Sequence, residues 1–399
     1  MTAEICVMNQ RGIALAADSA VTIGGTKTFN NATKLFTMDS AHYIGIMIYG
    51  NANIMGVPWE VIIKGFRESI KNKPLEKLEF YKTRLIDFIE NSEELWSGIN
   101  SDDMVINYLS DLMDVIYKKF NDEVKKLNSE EKNIDRNAIL EESINSIEFK
   151  NNDIIFSIPK DKFKDATTKL IKNYIDDEEV TDNYLKLIQD KLYSFIESDN
   201  FSRSQTGVVI GGYGKEELFP RLIQLNVDGL YNGKLKYNEE HNKSTSIVEG
   251  NSSASLIPFA QQEMVHTIMT GIDPGLDMFR NNQLNELKKG LIDIIGDESK
   301  EVLNDIFDNN ERALEDYKND YISGPIINML NNLSLSELGT MAETFVSLTS
   351  FKRKFSGDLQ TVGGPVDVLV ISRGEGPVWI KRKKYFDSEM NKGYLLRRR

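Results

Sequence analysis

The feature that most constrains the fold is a change of hydrophobic period along the chain. Up to about Ile54, short apolar runs alternate with Gly, Asn and Asp signals, and several runs are apolar at consecutive positions. Such runs predict strands that are buried on both faces. These runs are Glu4–Met8, Gly12–Ala17, Leu35–Asp39 and His42–Tyr49. We therefore expect the chain to open with a sheet that is covered on both sides.

The pattern takes the 3.6-residue period of helices from about Pro58 to Asn200. Strand-like runs then return, helical patterns follow from Pro258 to about Leu333 and over Ser336–Lys352, and two strands come last. The later strand-like runs are Thr206–Tyr213, Arg221–Val227, Ser244–Glu249, Val366–Ser372 and Val378–Lys381. This order predicts an α+β fold in which strands distant in sequence share a sheet.

Composition excludes several classes of protein. A net charge of −13 repels nucleic acid and anionic lipid. The single cysteine, Cys6, excludes an internal disulfide framework and a multi-cysteine metal site, and it indicates a reducing compartment. No stretch approaches the roughly 18 to 20 apolar residues of a membrane span, and no secretory signal opens the chain. We predict a cytoplasmic protein that binds neither nucleic acid nor membrane.

Thr2 is the first candidate for chemistry. Removal of Met1 would leave a threonine whose free α-amine lies on the same residue as its hydroxyl. Because an α-amine has a reference pKa of about 7.7 to 8.0, part of it is neutral near pH 7 and can take the hydroxyl proton. One residue then serves as nucleophile and base. Threonine at position 2 is also common for reasons of translation and processing alone.

Asp18 and Lys34 are candidate partners of that hydroxyl. Asp18 ends a strand-like run, and Lys34 precedes the apolar pair Leu35 and Phe36. A lysine beside the hydroxyl lowers the cost of a developing alkoxide, and an aspartate keeps the lysine charged and oriented. Either residue alone is better explained by an ordinary ion pair or a turn.

Taken together, these residues resemble the opening of proteasome β-subunits and their bacterial relatives, which are N-terminal-nucleophile (Ntn) hydrolases. The resemblance rests on Gly12–Thr22 followed by Lys34–Phe36. It implies that Thr2 is the nucleophile, that Asp18 and Lys34 tune it, and that the backbone N–H of Gly50 holds the oxyanion. It also implies a four-layer αββα sandwich.

Two later motifs resemble the same family with departures. In Gly250–Ser255, Ser252 or Ser253 would support the amine of the nucleophile, although a loop or helix cap explains such residues as well. Asp358 and Thr361 stand before a double glycine where the family has an aspartate and a serine, and here threonine replaces the serine.

An apolar specificity pocket is also implied by position. Its candidate walls are Val21, Ala32, Phe36 and Ile48. This set would favour an apolar side chain before the scissile bond. Ordinary core packing explains the same four residues equally well.

The resemblance covers about 2–60, 204–265 and 336–380, so residues 1–399 are interpreted as a single Ntn-hydrolase domain. Two helical insertions interrupt it, at 61–203 and 270–335. The first insertion would serve as a lid, a partner-binding module or an oligomerisation element. As the resemblance implies, the protein would form a homo-oligomer. No phosphate loop of the Walker type is present, so ATP-driven unfolding would require a separate activator.

The sequence therefore predicts a threonine-type peptidase that hydrolyses polypeptide with Thr2 and needs no cofactor or metal. Two alternatives remain open. One is an Ntn amidohydrolase or acylase that acts on a small-molecule amide. The other is a non-catalytic scaffold that binds a partner through its helical insertions.

Overall fold

The fold is taken from a computed structural model, which describes most of the chain. The described residues are 2–23, 27–71, 73–99, 101–129, 136–147, 149, 153–174, 182–247, 253–296, 298, 300–356, 362–384, 386 and 390.

Strands and helices alternate in blocks along the described chain. The strands are β1 Ala3–Asn9, β2 Gly12–Ala17, β3 Val21–Ile23, β4 Lys27–Phe29, β5 Leu35–Thr37, β6 Ile44–Gly50, β7 Asn53–Ile54, β8 Val57–Pro58, β9 Thr206–Gly212, β10 Arg221–Tyr231, β11 Lys234–Glu239, β12 Thr245–Ser246, β13 Ala254–Ala260, β14 Asp367–Ser372 and β15 Gly376–Lys381. The helices are α1 Trp59–Ile70, α2 Leu78–Asn91, α3 Glu93–Trp96, α4 Ser101–Ser129, α5 Arg136–Asn145, α6 Lys160–Lys172, α7 Asp182–Glu197, α8 Glu263–Thr270, α9 Pro274–Ile295, α10 Lys300–Lys318, α11 Gly324–Leu330 and α12 Leu335–Phe355. A π-helical turn, Asn319–Ser323, joins α10 to α11.

Two antiparallel sheets form the centre of the molecule. The first has the strand order β13-β1-β2-β14-β15, and the second has the order β11-β10-β9-β6-β5, with β12 paired to β10. Every residue of β1, β2, β9 and β14 is buried, as expected for strands covered on both faces. The predicted mixed α+β fold with antiparallel sheets is confirmed.

Alternation along β1 shows how the first sheet is covered. Ile5 and Val7 pack in an apolar cluster with α12, through residues such as Val346. Cys6 and Met8 point the other way, into a cluster shared with Val209 and other residues of the second sheet. Successive side chains of a strand face opposite sides, so this strand contacts a helix on one face and a sheet on the other.

The far face of the second sheet is covered by α1 and α2. Ile46 and Ile210 of that sheet share an apolar cluster with Trp59, Phe66 and Tyr81 of the two helices. The three clusters thus occupy three successive interfaces: helices with the first sheet, sheet with sheet, and the second sheet with helices.

Helices α4 to α7 have an apolar cluster of their own. Leu109, Ile116, Leu170 and Leu192 are buried there, and Tyr231 of β10 is the contribution from the second sheet. Of the amphipathic repeats predicted between Pro58 and Asn200, those of α4 to α7 thus bury their apolar faces mainly against each other. The limits of the predicted domain and its insertions remain a prediction.

Helices α9 to α11 are packed differently. None of the 22 residues of α9 is buried, and Leu303 is the buried residue of α10. Several large apolar side chains of α9 are exposed, among them Leu276, Met278 and Phe279. No helix of the described residues is long and apolar enough to cross a membrane.

One predicted boundary is wrong. The sequence pattern predicts helix from Pro258, whereas the structure continues β13 to Ala260 and starts α8 at Glu263. Pro258 pairs with Ile5 at the edge of the first sheet, where a residue without an N–H is tolerated. Strand β11 is a further element that the sequence pattern did not indicate.

Candidate active site

Thr2, Lys34 and Asp18 are brought together at one end of the first sheet. The Nζ of Lys34 donates a hydrogen bond to Thr2 Oγ1 over 3.0 Å and another to Asp18 Oδ1 over 2.6 Å. Thr2 is 5% exposed, Lys34 4% and Asp18 1%. Because the pair is shielded from solvent, its electrostatic effect on the Thr2 hydroxyl is stronger than at a surface.

The β1–β2 hairpin positions Asp18. Antiparallel pairing sets Glu4 opposite Ala17, so the chain leaving β2 returns to the start of β1. Asp18 N donates to Ala3 O over 3.1 Å, and Ala3 N donates to Asp18 Oδ1 over 3.1 Å. A short hairpin therefore places this carboxylate beside Thr2.

The other carboxylate oxygen of Asp18 is held from two directions. Ala20 N donates to Asp18 Oδ2 over 3.2 Å, and Gly363 N donates to it over 3.0 Å. Ser19 fixes the same loop, because its N–H donates to Gly363 O and its hydroxyl to Pro365 O. The double-glycine motif thus reaches the candidate site through Gly363.

Gly50 ends β6 in a left-handed conformation, with φ of +84°. A Cβ at this position would lie 2.7 Å from Gln205 O, so only glycine fits without a shift of backbone. Two residues earlier, Ile48 N donates to Lys34 O over 3.0 Å, which ties this strand to the segment that carries Lys34. The role of Gly50 in holding an oxyanion remains a prediction.

The four candidate pocket residues fall into two environments. Phe36 and Ile48 are buried in the apolar cluster under α1 and α2, 7% and 5% exposed. Val21 in β3 and Ala32 are half-buried, and Ala32 N donates to Ser19 O, next to Asp18. Packing accounts for Phe36 and Ile48. Contact of any of the four with a substrate remains a prediction.

Three predicted residues, Ser252, Asp358 and Thr361, lie outside the described residues. Ser253 is described and is exposed, directly before β13. Because β13 runs antiparallel to β1 and its first residue pairs with Asn9, Ser253 lies at the end of the sheet far from Thr2. Support of the Thr2 amine by Ser253 is therefore wrong.

The segment that reaches Thr2 is the opposite end of β13. Ala260 pairs with Ala3 and has φ of +60°, and Gln261 N donates to Thr2 O over 3.2 Å. Gln261 is 8% exposed, and its Oε1 accepts a hydrogen bond from Arg353 of α12. Sequence reasoning missed Gln261 because the strand before it was interpreted as a loop and the start of a helix.

Glu4 is a second residue that sequence reasoning missed. It is completely buried in β1, and neither carboxyl oxygen has a hydrogen-bond partner among the residues that the structure describes. Burial raises the pKa of Glu4 well above its usual value; Lys34 lowers it in part, and Asp18 raises it further. The sequence did contain a signal for this residue. Glu4 is a charged residue at a strand position that alternation places in the interior.

Comparisons with known proteins give structural neighbours only. No protein-family model matches the chain. No curated protein matches it either. Similar solved structures include the Gly-1 mutant of Anbu from Hyphomicrobium sp. strain MC1, with 11% identity, a TM-score of 0.32, and coverage of 100% of this chain and 95% of that chain.

Two further neighbours are also Anbu proteins. Anbu from Yersinia bercovieri, described as an ancestral β-subunit, has 10% identity, a TM-score of 0.30, and coverage of 99% and 93% of the two chains. The helical assembly of the Anbu complex from Pseudomonas aeruginosa has 9% identity, a TM-score of 0.34, and coverage of 99% and 93%. Likeness at this level carries no conclusion about the activity of this chain.

The assignment to the proteasome β-subunit family is wrong. No family model supports that assignment, and the similar solved structures reported above are Anbu proteins. The motifs around Asp18 and Lys34 describe only a local arrangement, namely the end of the β1–β2 hairpin and one lysine beside it. Such geometry positions side chains without identifying a family.

Proposed function

We propose that this protein hydrolyses peptide or other amide bonds with Thr2 as an N-terminal nucleophile. The observation that carries the proposal is the position of Lys34 Nζ, which donates to Thr2 Oγ1 and to Asp18 Oδ1 in a buried site. A fixed cation beside a hydroxyl stabilises the negative charge that develops as the oxygen attacks.

In the proposed reaction, removal of Met1 frees the Thr2 amine, which takes the proton from Oγ1 directly or through a water. Oγ1 bonds to the amide carbon, and the carbonyl oxygen becomes negatively charged. The C–N bond then breaks, and the leaving amine takes the proton held by the Thr2 amine. Water hydrolyses the resulting ester, which releases the acid and restores the hydroxyl.

Each supporting residue has a proposed part in these steps. Lys34 stabilises the developing alkoxide, and Asp18 keeps Lys34 oriented. The backbone N–H of Gly50 would hold the oxyanion, and one fixed donor of this kind lowers the barrier by about 3 kcal/mol. Neither a cofactor nor a metal takes part in the proposed reaction.

The finer architecture is also a proposal. The three apolar clusters support a four-layer αββα sandwich, in which α12 and α8 cover the first sheet and α1 and α2 cover the second. In this interpretation, residues 61–203 and 270–335 are insertions into one domain, and the first insertion includes most of α1 and all of α2, which form the helical layer on the second sheet.

The experiment is intact-mass analysis of purified protein before and after treatment with a peptide epoxyketone. This probe needs both groups of the nucleophile, since the hydroxyl adds to the ketone and the amine opens the epoxide. We expect loss of Met1 and an adduct equal to the sum of both masses. Thr2→Ala should abolish the adduct, and the control Thr83→Ala, at an exposed position of α2, should retain it.

The outcomes separate the alternatives. Retention of Met1 with no adduct would refute an autonomous hydrolase and favour the scaffold, because a blocked amine cannot act as base. An adduct on Thr2 without hydrolysis of unfolded polypeptide, but with hydrolysis of acylated small molecules, would favour the small-amide hydrolase. A wild-type adduct that persists in Thr2→Ala would place the reactive residue elsewhere.

We also propose that the protein forms a homo-oligomer through α9. Leu276 and Phe279 are 57% and 61% exposed and lie three residues apart, so they share one face of α9, and exposed apolar patches mark interaction sites. Sedimentation velocity should show a larger species for wild type than for Leu276→Asp with Phe279→Asp. Equal sedimentation at matched concentration would refute this surface as the interface.

A further inference from the structure

Glu4 is buried between the two sheets, and its carboxyl group has no hydrogen-bond partner within the described part of the chain. It faces the same side of β1 as Cys6 and Met8, which pack against the second sheet. Its cross-strand neighbours are Ala17 and Phe259, which offer it no polar side chain. A carboxylate in such a place would lack the donors that normally stabilise buried charge.

The same alternation places Glu4 directly behind the nucleophile. Thr2 and Glu4 are two residues apart on one face of the chain, so their Cα atoms are about 7 Å apart. Lys34 and Asp18 are the charged groups that act on Glu4, with opposite signs. Glu4 is therefore a third ionisable group of the cluster that carries Thr2.

The second sheet and the strands beside β1 bring the other titratable groups. Burial raises the pKa of the Tyr49 phenol above its usual range, with further contributions from Glu4 and Glu240. The Tyr49 hydroxyl accepts a hydrogen bond from Gln224. Lys243 lies 5.8 Å from the centre of the Phe259 ring, and burial lowers its pKa. Cys6, the next residue on this face, stays neutral because burial raises its pKa.

Lys34 has more than one possible anionic partner in this arrangement. Two of its hydrogen bonds go to Thr2 Oγ1 and Asp18 Oδ1. While Glu4 carries its proton, Asp18 is the carboxylate that balances Lys34. When Glu4 ionises, a second carboxylate competes for the same ammonium.

We propose that Glu4 is a positioning residue that holds Lys34 on Thr2 by remaining a neutral acid, and that its ionisation ends the working pH range on the alkaline side. The inference rests on the proposed role of Thr2. Ionised Glu4 draws Lys34 away from Thr2 Oγ1 and repels the forming alkoxide. At about 7 Å and an effective dielectric constant of about 20, that repulsion alone slows the attack about 50-fold.

The first test measures the rate of epoxyketone addition against pH for wild type, Glu4→Gln and the control Glu240→Gln. All rates should rise as the Thr2 amine loses its proton, near its reference value of about 8. Above that pH, wild type and Glu240→Gln should decline about 50-fold, whereas Glu4→Gln should reach a plateau. Equal profiles for wild type and Glu4→Gln would overturn the proposal.

The second test reads Glu4 without any activity of Thr2. Infrared difference spectra of Thr2→Ala minus Thr2→Ala with Glu4→Gln should show the C=O stretch of a protonated carboxylic acid at pH 7, which disappears on titration to alkaline pH. Absence of that band would overturn the proposal. If Glu4→Gln does not fold, Glu4→Leu serves both tests, with the same expected plateau and difference band.

The two tests distinguish the possible failures. A protonated-acid band together with no adduct in wild type at any pH would overturn the role of Thr2 and, with it, the pH limit. An adduct with an alkaline decline that Glu4→Gln retains would leave Thr2 as nucleophile and overturn the role of Glu4.

Discussion

Replacement of Asp18 by Asn tests the geometry of the candidate site most directly. Oδ1 accepts hydrogen bonds from Ala3 N and Lys34 Nζ, and Oδ2 accepts from Ala20 N and Gly363 N. An asparagine must turn its NH₂ group toward one of these pairs of donors. Neither orientation of the amide therefore satisfies the site.

The magnitude follows from two losses. Removal of the carboxylate charge leaves Lys34, which is 4% exposed, without its ion-pair partner. Breaking a buried pair costs about 3 to 5 kcal/mol, and an unsatisfied buried N–H costs about 1 to 3 kcal/mol. Since the two losses overlap, we expect Asp18→Asn to lower the free energy of unfolding by about 4 kcal/mol.

Urea unfolding followed by circular dichroism measures this loss. The control is Asp87→Asn on the exposed face of α2, where the same chemical change should stay within about 0.5 kcal/mol. The folded fraction of Asp18→Asn should also add the epoxyketone more slowly than wild type. A loss below about 1 kcal/mol would refute the convergence of four donors on Asp18.

Three further predictions concern stability. Burial lowers the pKa of Lys236 to about 8 from 10.5, so the unfolded chain binds more protons than the folded chain between these pH values. The unfolding free energy of wild type should therefore rise by about 3 kcal/mol relative to that of Lys236→Met across this pH window, and a constant difference would contradict this. Gly212→Ala should lower the free energy of unfolding by about 3 kcal/mol or more, since the new Cβ would lie 2.1 Å from Tyr43 O. Gly233→Ala, with open space around it, should lower it by only about 1 to 2 kcal/mol, and equal losses in thermal unfolding would refute the crowding at Gly212. Ser334→Ala removes the N-cap of α12 and should cost about 1 kcal/mol in urea unfolding, while an unchanged midpoint would contradict the capping box.

The part of the site that the sequence predicts depends on short-range geometry. The two strand-like runs Glu4–Met8 and Gly12–Ala17 can be recognised from the sequence, and because a tight turn joins these strands, Asp18 returns to Ala3. The position of Asp18 and Lys34 beside Thr2 was implied by the family resemblance and not by this pattern. Lys34 comes after one further hairpin, formed by β3 and β4. The alternation of apolar residues likewise predicts which strands are buried on both faces.

The rest depends on pairing between distant segments. Nothing near Gln261 indicates that β13 lies along β1 and ends beside Thr2, because Pro258 and the polar residues after it are also typical of a helix start. Ser253 lies at the end of the sheet far from Thr2 because β13 runs antiparallel to β1. Predicting the buried environment of Glu4 requires knowledge of both strands that flank β1 and of the second sheet.

The hydrogen bond from Gly363 to Asp18 has a consequence for the order in which the candidate site is assembled. The two residues are 345 positions apart, and β14, which follows Gly363, pairs with β2 in the middle of the first sheet. During synthesis, Thr2, Asp18 and Lys34 leave the ribosome long before this loop exists. Contacts of such long sequence separation form late in folding. A nascent or truncated chain that lacks Gly363 therefore carries Thr2, Asp18 and Lys34 without the hydrogen bond that helps to orient Asp18. If Thr2 acts as proposed, we expect hydrolysis only after residue 363 has been synthesised and this loop has folded.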